Sequence, residues 1–412
     1  MRLAYVTATF PFALEEQFLE PETNRLAEHH EVFVIPTRAR SPVVRYPNLR
    51  AIPYFLGALD LRVLRKAFAE VRRHPRAVAR ALLPVVYERY RLRSKIVNLT
   101  TVPKALALAH ELRVLRVEHI HVNWMTTSAT AVWIAARLTG LPFSITAHQH
   151  DIFTDNLIEA KVRDAAFVRV ISDRNRRHLE ALVAPELRAR CATIHLGVDL
   201  PAQARLPAAS GVFRVLCSAR LCLWKGHRYL LPAIARLVER GIDVRCDLAG
   251  DGEIRRDVER LVRALGLGDR VRMLGNVPHR ALVQALSDGE YDALALASTE
   301  QGNEHEGIPV AVMEAMAVGL PVVVTQTGSL AELVEHEVTG LLVPQRDVVA
   351  LARALERLAI DPGLRRRLGE RASRFVTESF SSAATTKELD TLFATVVLPI
   401  PSVGPPVLDV QP

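Results

Sequence analysis

The chain has 412 residues, 49% of them hydrophobic and 24% charged, with a formal charge of +8 at pH 7. That length exceeds one ordinary core and predicts two or three domains, and the composition excludes an intrinsically disordered chain. No run of 18 apolar residues occurs, so no transmembrane helix is expected, and Met1–Thr7 reads as a first strand without a secretory leader.

Short apolar runs alternate with helical patterns, which predicts an α/β fold with parallel sheets. In the first half, strands are expected at Arg2–Thr7, Glu31–Pro36, Glu118–Val122, Phe143–Thr146, Phe167–Ile171 and Ala192–His195. Helical patterns lie between them, including Ser128–Leu138 and Arg174–Leu182, the latter capped by Ser172 or Asp173. A Pro/Ala/Ser-rich stretch, 201–212, reads as a linker. A second series follows, with strands at Phe213–Ser218, Asp243–Ala249, Val271–Leu274, Ala293–Ala297, Val322–Thr325 and Gly340–Val343. Its helices are expected at His227–Glu239, Glu253–Leu265, His279–Leu286, Val310–Val318 and Ser329–Glu335. The expected division is an N-terminal Rossmann-like domain over 1–200, the linker, and a second such domain over 213–380. A helix over 381–398 then returns to the first domain, and a Pro-rich tail, 399–412, stays unpacked. Two Rossmann-like units place a ligand in the cleft between them, beyond the carboxyl ends of the strands.

From Asp60 to Lys95 there are eleven Lys/Arg against three Asp/Glu, a surplus of eight that equals that of the whole chain. Leu61, Leu64, Phe68 and Val71 recur there at helical spacing, with Arg62, Arg65, Lys66, Arg72 and Arg73 on other faces. Either an anionic membrane surface met by residues 61–95 or a solvated basic helix packed on the domain accounts for this pattern. No aromatic-basic platform accompanies the charge, so nucleic acid is not an expected partner. Cys191, Cys217, Cys222 and Cys246 lie in or beside apolar runs without metal-site spacing, so reduced, buried thiols and a cytoplasmic location are expected.

The most informative segment is Glu306-Gly307-Ile308-Pro309-Val310-Ala311-Val312-Met313-Glu314. Pro309 suits the start of a helix, which puts Glu306 in the preceding loop and Glu314 on the early turns. Helix N-termini attract phosphate, and carboxylates accept from hydroxyls; together they suit a nucleotide sugar. Other segments end strands on the same side: Arg220 and Lys225 in Arg220-Leu221-Cys222-Leu223-Trp224-Lys225-Gly226, the turn Gly250-Asp251-Gly252, the strand end Asn276-Val277, and Gly328-Ser329 before a helix. The amides at Gly328 and Ser329 could face phosphate or simply cap the helix. A P-loop and a full G-x-G-x-x-G are absent, which argues against a nucleotide hydrolase or a dehydrogenase.

The pair Glu306 and Glu314 resembles the E-x7-E motif of the family-4 retaining glycosyltransferases, and the resemblance extends over about residues 1–380. It implies a GT-B architecture, with two Rossmann-like domains facing across a cleft. It implies that Glu306 faces the donor sugar, that Glu314 binds the ribose, and that Gly307, Ile308 and Pro309 line the donor site. Arg220 and Lys225 resemble the family's R-x4-K-G segment, which binds the donor diphosphate. Asn276 and Val277 correspond to backbone that holds the base, and Gly250 and Asp251 to a donor-side turn. Thr146-Ala147-His148-Gln149-His150-Asp151-Ile152 resembles T-x-H-x-x-D-I, implying that His148 reaches the sugar; a buried structural histidine is the other reading. The loop Thr9–Phe18 lacks the double glycine of many members and resembles the F-P-x-x-x-E-x-F loop of colanic acid and exopolysaccharide transferases. Glu16 and Gln17 are acceptor-site candidates there, or mark a capped helix start. No D-x-D triplet occurs, so no metal is expected, and Arg220 and Lys225 would supply the electrostatic clamp. The implied activity is transfer of a hexose-type sugar from a UDP- or GDP-type donor, without further cofactor, to a glycan or lipid-linked saccharide, with retention. A UDP-sugar 2-epimerase of the same fold and a non-catalytic glycan-binding subunit are the alternatives.

Overall fold

The computed structural model describes residues 1–12, 14–38, 50–51, 57, 60–87, 92–154, 156–199, 211–302 and 304–396. All but the last two residues of the expected linker 201–212, and all of the tail 399–412, lie outside them.

The chain builds two parallel sheets. The first holds β1 (Arg2–Thr7), β2 (Glu31–Pro36), β3 (Arg50–Ala51), β4 (His119–Asn123), β5 (Phe143–Ala147), β6 (Val168–Val170) and β7 (Cys191–Thr193), in the order β3-β2-β1-β4-β5-β6-β7. The second holds β8 (Phe213–Ser218), β9 (Val244–Ala249), β10 (Val271–Gly275), β11 (Ala293–Leu296), β12 (Val322–Thr325) and β13 (Leu341–Val343), in the order β10-β9-β8-β11-β12-β13. β3 was not among the expected strands; two residues are too short for an alternation to show. Both strand orders reverse direction beside the first strand of the sheet. The crevice outside such a reversal, between β1 and β4 and between β8 and β11, is where sheets of this kind take ligands.

Most strand residues are buried because helices cover both faces. On one face of the first sheet Ala4, Val6, Ile120, Val122 and Ile145 pack with Trp133 and the other buried residues of the helix Thr127–Thr139. The opposite face carries His119, His121, Ser144 and Thr146, all buried. Ser144 Oγ lies 2.8 Å from both His119 Nε2 and His121 Nδ1, and His121 Nε2 lies 2.8 Å from Thr146 Oγ1. The buried Arg169 guanidinium pairs with Glu22, whose other oxygen accepts from Tyr5 at 2.6 Å.

The helix Ser382–Val396 closes this polar face. Its Leu389 and Phe393 join the cluster of Leu3, Tyr5 and Phe167. The Phe393 ring sits 5.4 Å from that of His119 and 5.3 Å from that of His121. The chain enters this helix beside its other crossing: Val198 donates to the Phe380 carbonyl and Ser382 to the Val198 carbonyl, each at 2.9 Å. The four cysteines are buried and free.

Candidate active site

In the second sheet, β8 ends at Ser218 and the loop Ala219–Gly226 follows. Thr299 N–H donates to the Trp224 carbonyl at 2.7 Å, which fixes this loop against the end of β11. Gly226 has φ +72°, and a Cβ there would lie 1.7 Å from the Ala297 carbonyl oxygen, so only glycine permits the approach. Lys225 is thereby delivered to Glu306. Its ammonium donates to both carboxylate oxygens at 2.7 and 2.9 Å and stands 4.3 Å from the Trp224 ring centroid. Ser298 donates to the same carboxylate. The carboxylate is nearly enclosed, with 4% side-chain exposure.

A cavity of about 400 Å³ opens at the carboxyl ends of β8, β9 and β10. Ser218, Ala219 and Arg220 line one side, Ala249, Gly250 and Asp251 another, and Asn276, Val277 and Leu282 the rest. Five residues singled out in the sequence therefore share one space. Arg220 is open to solvent at 72% side-chain exposure and lies 3.2 Å from Glu253. Asp251 accepts from the Gly252 amide at 2.8 Å.

Pro309 precedes the helix Val310–Ala317, whose buried Glu314 pairs with His279 Nε2. That hydrogen bond raises the His279 pKa above the ordinary histidine value. Sequence reasoning placed His279 only as a helix start; its pairing across 35 residues left no local signal. Ile308 belongs to a cluster that includes Ile171 of the first half. Gly328 has φ +57°, and a Cβ there would lie 1.7 Å from the Glu306 carbonyl oxygen. Its amide donates to Glu300 at 2.9 Å, and the Ser329 amide donates to the Glu306 carbonyl at 3.1 Å. In this structure both amides serve to hold the Glu306 loop. The Arg174 guanidinium, 2.7 Å from Glu300, keeps that carboxyl below its usual range.

The two halves meet here directly. Ser329 Oγ lies 2.8 Å from Ser172 Oγ. Glu332 accepts from the Asp173 and Arg174 amides at 2.7 and 2.9 Å, capping the first turn of the helix Asp173–Ala181.

In the first half, His148 follows β5. Its ring stacks on Trp124 at 4.1 Å between centroids, with Phe18 edge-on at 5.7 Å. Burial lowers its pKa to about 3, so the ring is neutral, and its buried Nε2 has no partner. Trp124 has φ +76°, a strained value for a non-glycine residue. The residue after it is gripped on both sides: Asp151 accepts from the Met125 amide at 2.5 Å, and Lys161 donates to the Met125 carbonyl at 2.8 Å. Burial pushes Asp151 up to about 7 and Lys161 down to about 7. Trp124, Asp151 and Lys161 thus form a frame for His148 that the motif alone did not disclose. His150 is more exposed, 3.7 Å from Glu304.

The Glu16 carboxylate is occupied within its own domain. It accepts from the Phe10 amide at 2.7 Å, the Ala8 amide at 3.3 Å and the Thr9 hydroxyl at 2.9 Å, and also from Thr9 N–H and Trp124 Nε1. Three successive amides form an anion-binding nest after β1, and the chain fills it with its own carboxylate. In this structure the Glu16 carboxylate organises that loop. Gln17, beside it, is half-buried.

A family model described as Glycosyl transferases group 1 matches residues 202–375. Alpha-D-kanosaminyltransferase of Streptomyces kanamyceticus is 28% identical over 307 residues, covering 68% of this chain and 77% of that protein. A colanic acid biosynthesis glycosyltransferase of Escherichia coli is 33% identical over 210 residues, 50% of this chain and 51% of that one. Among solved structures, sucrose-phosphate synthase from Thermosynechococcus elongatus superposes with a TM-score of 0.70 at 21% identity, over 96% of this chain and 99% of that one. HepE of Anabaena in complex with UDP and glucose gives 0.66 at 17%, over 96% and 100%. At these identities the structural likeness is one of fold. The sequence match carries the second half further: residues 202–375 match the group-1 glycosyl transferases, and the chain is a glycosyltransferase of GT-B fold.

Proposed function

We propose that this glycosyltransferase moves a hexose-type sugar from a UDP- or GDP-type donor to a hydroxyl of a glycan or lipid-linked saccharide in polysaccharide biosynthesis, with retention at the anomeric carbon. The observation that carries the reading is the Lys225–Glu306 pair at the β8/β11 switch point, together with Arg220 in the cavity at the carboxyl ends of β8, β9 and β10. Arg220 and Lys225 bind the diphosphate and stabilise the charge that grows on it as the bond from the anomeric carbon to the phosphate oxygen breaks. The acceptor oxygen bonds to that carbon from the same face, and its proton passes to the departing phosphate oxygen. No protein base is required, which suits a His148 ring of very low basicity. Glu314 takes the ribose hydroxyls once His279 releases its carboxylate.

Thermal melts against a panel of nucleotide sugars test this. The true donor at about 100 times its dissociation constant should add roughly 2.7 kcal/mol. Glu314→Gln should raise donor KM about tenfold with little change in kcat, because ribose contacts are alike in ground and transition states. Conversion of one UDP-sugar into its epimer, without release of nucleotide, would overturn the transfer reading.

The acceptor is proposed to reach the site from an anionic membrane surface. On the helix Leu61–Arg73, Leu61 is 70% and Phe68 69% exposed, and Leu64 and Val71 are exposed on the same stripe, while Val63, Ala67 and Glu70 face inward. A monomer core does not leave such a stripe beside Arg62, Arg65 and Arg72 without use; basic residues next to exposed apolar ones match an anionic lipid interface. No helix among the described residues is long and apolar enough to cross a membrane. Sedimentation should show binding to phosphatidylserine-rich vesicles and not to pure phosphatidylcholine, with loss of at least tenfold in Leu61→Glu/Phe68→Glu. Equal binding by that variant would remove the surface from the proposal.

A further inference from the structure

The seam between the two halves contains buried polar atoms without partners. Gln149 follows His148 and is 6% exposed, yet its Nε2 has no hydrogen-bond partner. Its side chain lies against the other half: a Cβ built on Gly307 would sit 3.5 Å from Gln149 Oε1. His305, on the other side of Glu306, is 3% exposed, and its Nε2 is also unpartnered. Its Nδ1 stands 3.1 Å from the Glu306 carbonyl oxygen. A carbonyl only accepts, so Nδ1 carries a proton, and in that tautomer Nε2 accepts. Phe153, a few residues past Gln149, meets the His305 ring edge-on at 5.4 Å, which ties the two side chains to one seam.

An unsatisfied buried donor and an unsatisfied buried acceptor both carry a desolvation cost. They stand on either side of the segment that holds Glu306. A hydroxyl can answer either, accepting from the amide or donating to the ring nitrogen. We infer that Gln149 and His305 form a subsite for hydroxyl groups of the transferred sugar, Gln149 donating and His305 accepting, and that they help to select which sugar is transferred. The inference rests on the donor reading above and adds two side chains to it.

Calorimetry separates sugar from nucleotide. Binding of UDP and GDP is compared with that of their glucose, galactose and mannose conjugates, in the wild type, Gln149→Met and His305→Asn. Methionine matches glutamine in length, and asparagine keeps a donor near the Glu306 carbonyl while removing Nε2; melting curves confirm the folds, and either variant alone suffices. The expected result is bare-nucleotide affinity within about twofold of wild type, and a gain from the sugar reduced by about tenfold, the scale of one or two neutral hydrogen bonds. An undiminished sugar gain in the folded variants overturns the subsite, and means that the orphan atoms hold only trapped water. A wild type that binds neither nucleotide overturns the donor reading itself, a result visible before any variant is made.

Discussion

Replacing Lys225 with alanine should lower turnover by on the order of 100- to 1000-fold, the scale seen when one donor to a developing negative charge is removed. The expected effect exceeds that of a surface lysine because Lys225 has only 15% side-chain exposure and spans both oxygens of Glu306. In the empty site it neutralises a buried carboxylate; in the loaded site its proposed partner is the diphosphate. Its removal therefore acts twice. Breaking a buried pair by deleting one partner costs about 3–5 kcal/mol, since the remaining charge is left without compensation. Lys225→Ala should consequently melt lower than wild type, and Lys225→Ala/Glu306→Gln should melt higher than the single variant while remaining inactive. Glu306→Gln alone should lower kcat more than it raises KM, as expected of a group facing the reacting sugar. Arg220→Ala, in the open mouth of the cavity, should lose turnover by about 100-fold without the melting penalty. Single-turnover kinetics and melting curves on the set decide the matter. Near-wild-type turnover in Lys225→Ala would end the clamp assignment.

Acidification from pH 7 to pH 5 should loosen the first half well before the second. Burial lowers His119 and His148 to about 3 and His121 well below 6.5. A histidine whose folded pKa is depressed contributes stability that is intact above about 6.5 and is lost as pH falls towards the folded value, because the unfolded chain takes up the proton first. Each contributes about 1.4 kcal/mol per pH unit in that window. Asp151, raised to about 7, runs the other way and offsets part of this loss. In the second half His227, lowered to about 4, has the same sign as the three. His279 has the opposite one: its pKa is raised by Glu314, so its contribution is present below about 6.5 and is lost as pH rises through the raised value. Hydrogen exchange across pH 7.5 to 5 should show β1, β4 and β5 losing protection ahead of β8 and β11. Parallel loss in both sheets would refute the account.

The strands were legible because each is a short, nearly continuous apolar run flanked by helical periodicity, the mark of parallel strands covered on both faces. The polar face on β4 and β5 was not, although it is written in the alternation of His119, His121 and Asn123. Nothing local says that a helix more than 250 residues later in the chain will bury it. At the site, the linear segments from 220 to 226 and from 306 to 314 could be read because each is one loop or one loop and helix. What joins them could not. Lys225 meets Glu306 across 81 residues, His279 meets Glu314 across 35, and Trp124 meets Glu16 across 108. The amides around Glu16 were equally invisible: the motif named the carboxylate, and only the folded loop shows what it holds. Gln149 sat inside a recognised segment and drew no attention, because glutamine has no signature until its environment leaves it unpartnered.

The return of Ser382–Val396 to the first sheet has a consequence for how the chain is made. A ribosome releases β1 to β7 first, yet the face formed by Tyr5, His119 and His121 has no cover until Leu389 and Phe393 have emerged. The second sheet has no such dependence, since its strands and their helices all lie between Phe213 and Ser379. The half that is synthesised first is therefore the half that is finished last, and for most of translation it is the nascent first sheet, with its histidines still wet, that must be kept from its neighbours.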